Sequence, residues 1–233
     1  MEGISSFLAN LSFMAFPILL AITLHEASHG YVANLLGDPT AKRLGRLSLN
    51  PIVHVDLFGT VLLPLVTYFL AGFIFGYAKP VPVDFRNLRN PKRDMIWVAL
   101  AGPAANAALA LGGGALALTL GVVPEFFKEW LYLNIQFMIF FNCIIGVLNL
   151  MPILPLDGGR VLAGLLPGAL AREFSRLERY GIVLFVGIFF LLPMLLRNLG
   201  IGFNPSEILI FRPACGVYAM VANLFGLENA FCA

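Results

Sequence analysis

Charge is scarce in this chain: Asp, Glu, Lys and Arg together supply 12% of its 233 residues, about half the share of a soluble domain. Apolar residues supply 59%, so the remaining charge cannot clothe a water-facing surface, and the solvent this sequence anticipates is a lipid bilayer. Neither sign of charge prevails. A net charge of +2 does not suggest a nucleic-acid binder, because the Lys and Arg residues sit in loops between apolar runs, where they set orientation. Internal repeats and low-complexity tracts are absent. Cysteine is sparse as well, since Cys143, Cys215 and Cys232 have neither the paired spacing of a zinc site nor the density of a disulfide scaffold. They read as structural thiols, with a Cys215–Cys232 pairing open only if the C-terminus faces an oxidising compartment. No basic segment precedes the first apolar run and no small-residue cleavage signal follows it, so a removed signal peptide is not expected.

What the sequence has in abundance is charge-free runs: Phe7 to Leu24, Leu57 to Ala78, Met95 to Pro124, Trp130 to Leu156 and Tyr180 to Leu196. Each is about the length a helix needs to cross or enter a bilayer. A weaker run, Pro213 to Leu227, reads as interfacial. The pattern predicts an all-α polytopic membrane protein, a bundle of about four to six membrane segments forming a single domain over residues 1–233. Its core is expected at about 7–165 and accessory segments at about 180–233.

If every run spanned fully, Lys42, Arg43 and Arg46 would face the side opposite Lys79, Arg86, Arg89, Lys92 and Arg93, against the excess of cytoplasmic basic residues. A re-entrant path for Leu57 to Ala78, interrupted by Pro64 and Gly72, removes the conflict. Twelve of the fifteen Lys and Arg residues then share one cytoplasmic face. Irregular backbone at membrane depth must line protein or a watery cavity. Short extended elements are expected at Arg46 to Asn50 and Lys79 to Phe85, where apolar residues alternate and Pro80 and Pro82 exclude helix. They read either as interfacial loops or as a small sheet able to pair with an extended peptide.

The chemistry starts at His25-Glu26-Ala27-Ser28-His29, an HExxH pattern late in the first run. On a helix its two imidazoles stand one turn apart on one face and can share a metal, while Glu26, rotated away from them, can act as general base toward water. In a soluble helix five such residues are often a solvated face; late in an apolar span they are costly and functional by default. A catalytic zinc normally has three protein ligands, and the best candidate for the third, set against an ordinary turn or helix cap, is Asp157 in Asn149-Leu-Met-Pro152-Ile-Leu-Pro155-Leu-Asp157-Gly158-Gly159-Arg160. Pro152 and Pro155 should unwind the helix end there, and Gly158 and Gly159 should let the chain turn tightly beside the metal. Arg160 is a candidate anchor to headgroups or a local counter-charge. His54 stands as an accessory candidate, a further ligand or proton shuttle set against a structural role. Asn149 and Asn106 each offer an amide to an oxyanion or a helix-to-helix hydrogen bond; scaffolding is the preferred role for Asn106.

His25-Glu-Ala-Ser-His29, Ala101-Gly102-Pro103-Ala104-Ala105-Asn106 and the Asn149 to Gly159 stretch together resemble the site-2 protease family over roughly Ile18 to Leu165. The resemblance implies a three-helix core that binds one Zn2+ ion per chain through His25, His29 and Asp157, with Glu26 activating water. It also implies cleavage of transmembrane protein or peptide substrates at membrane depth, and Asn149 matches the family's asparagine beside the reacting carbonyl. The chain has no room for a PDZ or CBS module and resembles a minimal form. The expected setting is a multi-pass protein of the cell membrane with its active site nearer the cytoplasmic side. A metal transporter or sensor using His25, His29 and Asp157 as ion ligands is the alternative, and it differs in needing no general base.

Overall fold

A computed structural model describes residues 2–63, 65–66 and 79–232, and the side chains of residues 10–60, 62–63, 65–66 and 79–232. Among the described residues the secondary structure is entirely helical. Helix α1 (Glu2–Leu35) carries Pro17 within it, and after a loop region come α2 (Pro91–Ala117) and α3 (Glu125–Asn149). Two nine-residue helices follow, α4 (Asp157–Leu165) and α5 (Gly168–Arg176). The helical run then continues through α6 (Gly181–Val186) to Asn198, and α7 (Arg212–Leu224) closes the chain. Among the described residues five helices are long and apolar enough to cross a membrane: Asn10–Leu35, Pro91–Val122, Glu125–Asn149, Gly168–Asn198 and Glu207–Leu224. This is the all-α polytopic bundle expected from the apolar runs.

Helices α1, α2 and α3 pack on one another, α4 lies against α2, and α7 lies against α3. Small residues let the helices approach without a hydrophobic driving force, which lipid does not provide: Ala110 and Ala117 of α2 and Ala214 of α7 are buried against Ile135, Ile139 and Cys143 of α3. The run Pro213 to Leu227, expected at the interface, instead buries Ala214, Tyr218, Val221 and Ala222 inside the bundle. The reason is a polar seam: Gln136 of α3 donates to the Glu228 carbonyl at 2.9 Å and accepts from the Tyr218 hydroxyl. Cys215 and Cys232 are joined as a disulfide, and Cys143 is a buried free thiol.

The loops 37–56 and 79–94 share one end of the bundle. Arg89 N–H donates to the Leu36 carbonyl at 3.0 Å, Asp84 N–H to Asp38 Oδ2 at 2.7 Å, and Arg46 to the Lys79 carbonyl at 2.9 Å. The chain departs near His54 and Asp56, the latter capping a helical turn at Leu57–Leu62, and returns at Lys79, whose N–H meets the His54 carbonyl at 2.9 Å. Entry and return thus lie together, as a re-entrant segment requires, although most of its path falls outside the described residues. The expected extended elements form no strand among the described residues and are loops tied by isolated hydrogen bonds.

Candidate metal centre and active site

His25 and His29, four residues apart on α1, present their Nε2 atoms 3.1 Å from each other. Asp157, first residue of α4, brings Oδ2 to 3.2 Å from His25 Nε2 and 3.3 Å from His29 Nε2. Metal bonds of about 2.0–2.1 Å in a tetrahedron leave ligand atoms roughly 3.3 Å apart, so the three atoms already form one tetrahedral face. Apart from these two ring nitrogens, Asp157 Oδ2 is buried with no hydrogen-bond partner. A buried carboxylate oxygen left in that state is strongly disfavoured unless a cation meets it, so these residues fit a zinc-type ion. Among the described residues they form the one cluster of at least three His, Cys, Asp or Glu groups able to converge on a metal.

The chain unwinds after Asn149, and residues 150–156, with a cis Leu154–Pro155 bond, carry Asp157 back toward α1. Gly158 and Gly159 serve a different purpose from the expected tight turn. They lie in the first turn of α4 and press against backbone, where a Cβ on Gly158 would stand 2.2 Å from the Leu150 carbonyl oxygen and one on Gly159 2.6 Å from Leu154 N. The helix start can seat beside the unwound segment only because both side chains are hydrogen. Its N-terminal dipole also favours a carboxylate at Asp157.

Around the cluster, His29 Nδ1 lies 2.7 Å from the Val98 carbonyl, and His25 Nδ1 lies 2.7 Å from Asn106 Oδ1. Glu26 points beside the ligands and accepts from Val81 N–H through Oε2 at 2.8 Å. A cavity of about 150 Å³ joins His25, Glu26, His29, Asn149 and Asp157 to Val81 and Arg160. Asn149 lines it with its amide donating to the Ile145 carbonyl at 3.0 Å. Arg160 finds local partners: its guanidinium lies 5.3 Å from the Phe85 ring centre and 3.7 Å from Glu178.

Of the seven candidate residues, the structure thus brings His25, Glu26, His29, Asn149 and Asp157 to one cavity and sets Asn106 directly behind His25. His54 stays apart, buried with Nε2 2.8 Å from the Ser48 carbonyl. Four contributors were not anticipated: the Val98 carbonyl, the Val81 N–H, Asn142, whose Oδ1 accepts from Asn106 Nδ2 at 2.8 Å, and Gly102. Gly102 lies so close that a Cβ there would sit 2.5 Å from His25 Cε1 and 2.5 Å from His29 Nε2. Its position in the Ala101-Gly102-Pro103 motif was the available signal; the other three depend on groups brought in from elsewhere in the chain.

The family model for peptidase family M50 matches residues 125–194, the stretch that holds Asn149 and Asp157. A protein of Bacillus subtilis named "putative zinc metalloprotease YwhC" is 34% identical over 194 residues, covering 78% of this chain and 82% of that relative. The chain belongs to peptidase family M50. This M50 member also resembles the Rip2 proteins, which carry the same zinc metalloprotease designation. That of Mycolicibacterium smegmatis is 30% identical over 72% of this chain and 62% of its own length. That of Mycobacterium tuberculosis is 29% identical over 76% of this chain and 66% of its own. No solved structure matches. Family membership together with five apolar helices identifies this M50 chain as an integral membrane protein, and the resemblance to site-2 proteases read from its motifs is borne out.

Proposed function

We propose that this chain is an intramembrane zinc metallopeptidase of the site-2 type, in which His25, His29 and Asp157 hold one zinc ion and a single domain carries the reaction. The observation that carries this reading is the convergence of two imidazole nitrogens and a buried carboxylate oxygen with no other partner at mutual distances of 3.1 to 3.3 Å, with a glutamate alongside. Zinc held there would supply Lewis acidity, lowering the pKa of water toward neutrality and polarising a carbonyl.

Glu26 takes a proton from the attacking water and returns it to the leaving amine. Its bond to Val81 N–H engages Oε2 and leaves Oε1 for the water. Asn149, on the same cavity wall, turns its amide from the Ile145 carbonyl toward the developing oxyanion. The substrate is a transmembrane segment, and it enters unwound. A lipid-buried helix has its carbonyls committed to its own hydrogen bonds, and an α-helix about 10–12 Å across is too wide for a cavity of about 150 Å³.

The deciding measurement compares zinc content and cleavage of a model transmembrane peptide for the native chain and Glu26→Gln, both in detergent. Zinc is expected in both, with cleavage reduced about 10²- to 10⁴-fold in the variant. Cleavage equal in the two would remove Glu26 from its role, and absence of zinc from the native chain would overturn the reading as a whole.

A further inference from the structure

An imidazole that binds a metal through Nε2 must offer a lone pair there, so its proton must sit on Nδ1. For His29 the backbone enforces this, because the Val98 carbonyl at 2.7 Å from Nδ1 can only accept. His25 has no carbonyl behind it. Its Nδ1 faces the side chain of Asn106 at 2.7 Å, and an amide can donate through nitrogen or accept through oxygen. Asn106 alone therefore leaves the His25 tautomer undetermined.

What settles it lies two helices away. Asn106 Nδ2 is 2.8 Å from Asn142 Oδ1, and Asn142 Nδ2 is 2.8 Å from the Met138 carbonyl. That carbonyl can only accept, so Asn142 must turn its NH2 toward Met138 and its oxygen toward Asn106. Asn106 must then donate to Asn142 and turn its own oxygen to His25, which leaves His25 donating from Nδ1. The polarity runs one way, from a backbone oxygen on α3 through an amide on α3 and an amide on α2 to the ring on α1. Burial keeps water from offering another arrangement: Asn106 is 0% exposed, Asn142 1% and His25 6%.

We propose that Asn106 and Asn142 are positioning residues, a two-amide relay that holds His25 in its Nδ1–H form and aims its Nε2 at the metal position. The inference rests on the zinc reading above and deepens it. Helix-to-helix bonding alone would tie α2 to α3 without requiring a consistent polarity ending on a ligand ring. Asn134 provides the contrast: it is also buried on α3, but its Nδ2 has no partner.

The test uses the full chain in detergent and two readouts, zinc affinity by chelator competition and the ring N–H resonance of His25 in the ¹⁵N-labelled, zinc-loaded protein. Asn106→Leu removes the acceptor and is expected to weaken zinc binding about 10- to 100-fold and to abolish the slowly exchanging His25 N–H signal. Asn106→Asp keeps an oxygen facing His25, although its second carboxylate oxygen then meets Oδ1 of Asn142, whose NH2 is held by the Met138 carbonyl. This variant is expected to retain the signal and to bind zinc within about tenfold of native. Asn142→Leu, which frees the Asn106 amide to flip, should fall between them, and Asn134→Leu should bind zinc as the native chain does. Should Asn106→Leu fail to purify folded, the contrast of Asn142→Leu with Asn134→Leu carries the same decision. Native zinc affinity in Asn106→Leu, or equal losses in the Leu and Asp variants, would overturn the relay while leaving the zinc reading intact. A native chain that binds no zinc would instead remove the reading on which the relay rests.

Discussion

Gly102 owes its identity to two imidazoles. Any side chain there begins with a Cβ 2.5 Å from ring atoms of His25 and His29, well inside van der Waals contact, and Pro103 next to it is buried. Relief requires α2 to back away from α1 or the rings to turn from Asp157, and either movement opens the triangle of ligand atoms. Gly102→Ala is therefore expected to cost about 1–3 kcal/mol of stability, the usual range for overpacking a tight core, and to lose most of its zinc. Thermal unfolding and metal content check this together; a variant with native zinc would show that the rings have room the geometry denies them. By contrast Gly112, on the same helix, has nothing within 4 Å of a built Cβ, and Gly112→Ala should leave metal content unchanged.

At the scale of elements, the segment 79–88 is held over the site by carboxylates. Asp38 is buried and accepts from Asp84 N–H at 2.7 Å, Asn87 Nδ2 at 3.0 Å, Thr40 N–H at 3.0 Å and the Thr40 hydroxyl. Burial disfavours its charge, but these hydrogen bonds outweigh burial and hold its carboxyl below the usual range. A carboxyl so lowered contributes stability above its unfolded pKa of about 3.9 and loses that contribution as pH falls toward the folded value. The 36–40 and 84–88 loops should therefore loosen together as pH falls below about 3.9, as measured by hydrogen exchange of their amides. Asp38→Asn should loosen them at neutral pH, by about 1–3 kcal/mol for buried donors left unpaired, and should flatten that pH dependence. Asp84 is held down to about 2 by Arg86. These carboxylates also explain why the alternating residues near 81 form no ladder. Pro80 and Pro82 have no N–H to give, Val81 N–H goes to Glu26 and Asp84 N–H to Asp38.

For the whole molecule, the joining of the 37–56 and 79–94 loops places eight basic residues at the active-site end of the bundle, which is the orientation expected for a cytoplasmic face. The opposite end is the turn between α2 and α3, and beyond α7 Phe225 packs its ring against Gly114 in that half of α2. With Cys143 buried and Cys215 bonded to Cys232, introduced cysteines can be labelled against a quiet background. Lys42→Cys and Lys92→Cys should react with an impermeant thiol reagent from one side of sealed vesicles and Glu129→Cys from the other. Opposite sidedness of Lys42→Cys and Lys92→Cys would exclude a re-entrant path between them. In the same vesicles, thiols at Cys215 and Cys232 should become reactive only after reduction.

Much of this protein was legible in its sequence because the physics involved is local. The scarcity of charge and the length of the apolar runs name the solvent without reference to any contact, and four-residue spacing puts His25 and His29 on one face of any helix they occupy. Prolines at 152 and 155 beside Asp157 mark an interrupted helix end in the same local way. Tertiary structure decided what local pattern cannot encode: which partner, across 81 residues, stands behind His25; that a glycine is required where α2 meets two rings; that His54 bonds to Ser48 instead of joining the ligands; and that Cys232 reaches Cys215. Each depends on how helices dock, and docking in lipid follows from shape and scattered hydrogen bonds, which leave little periodic trace in the chain.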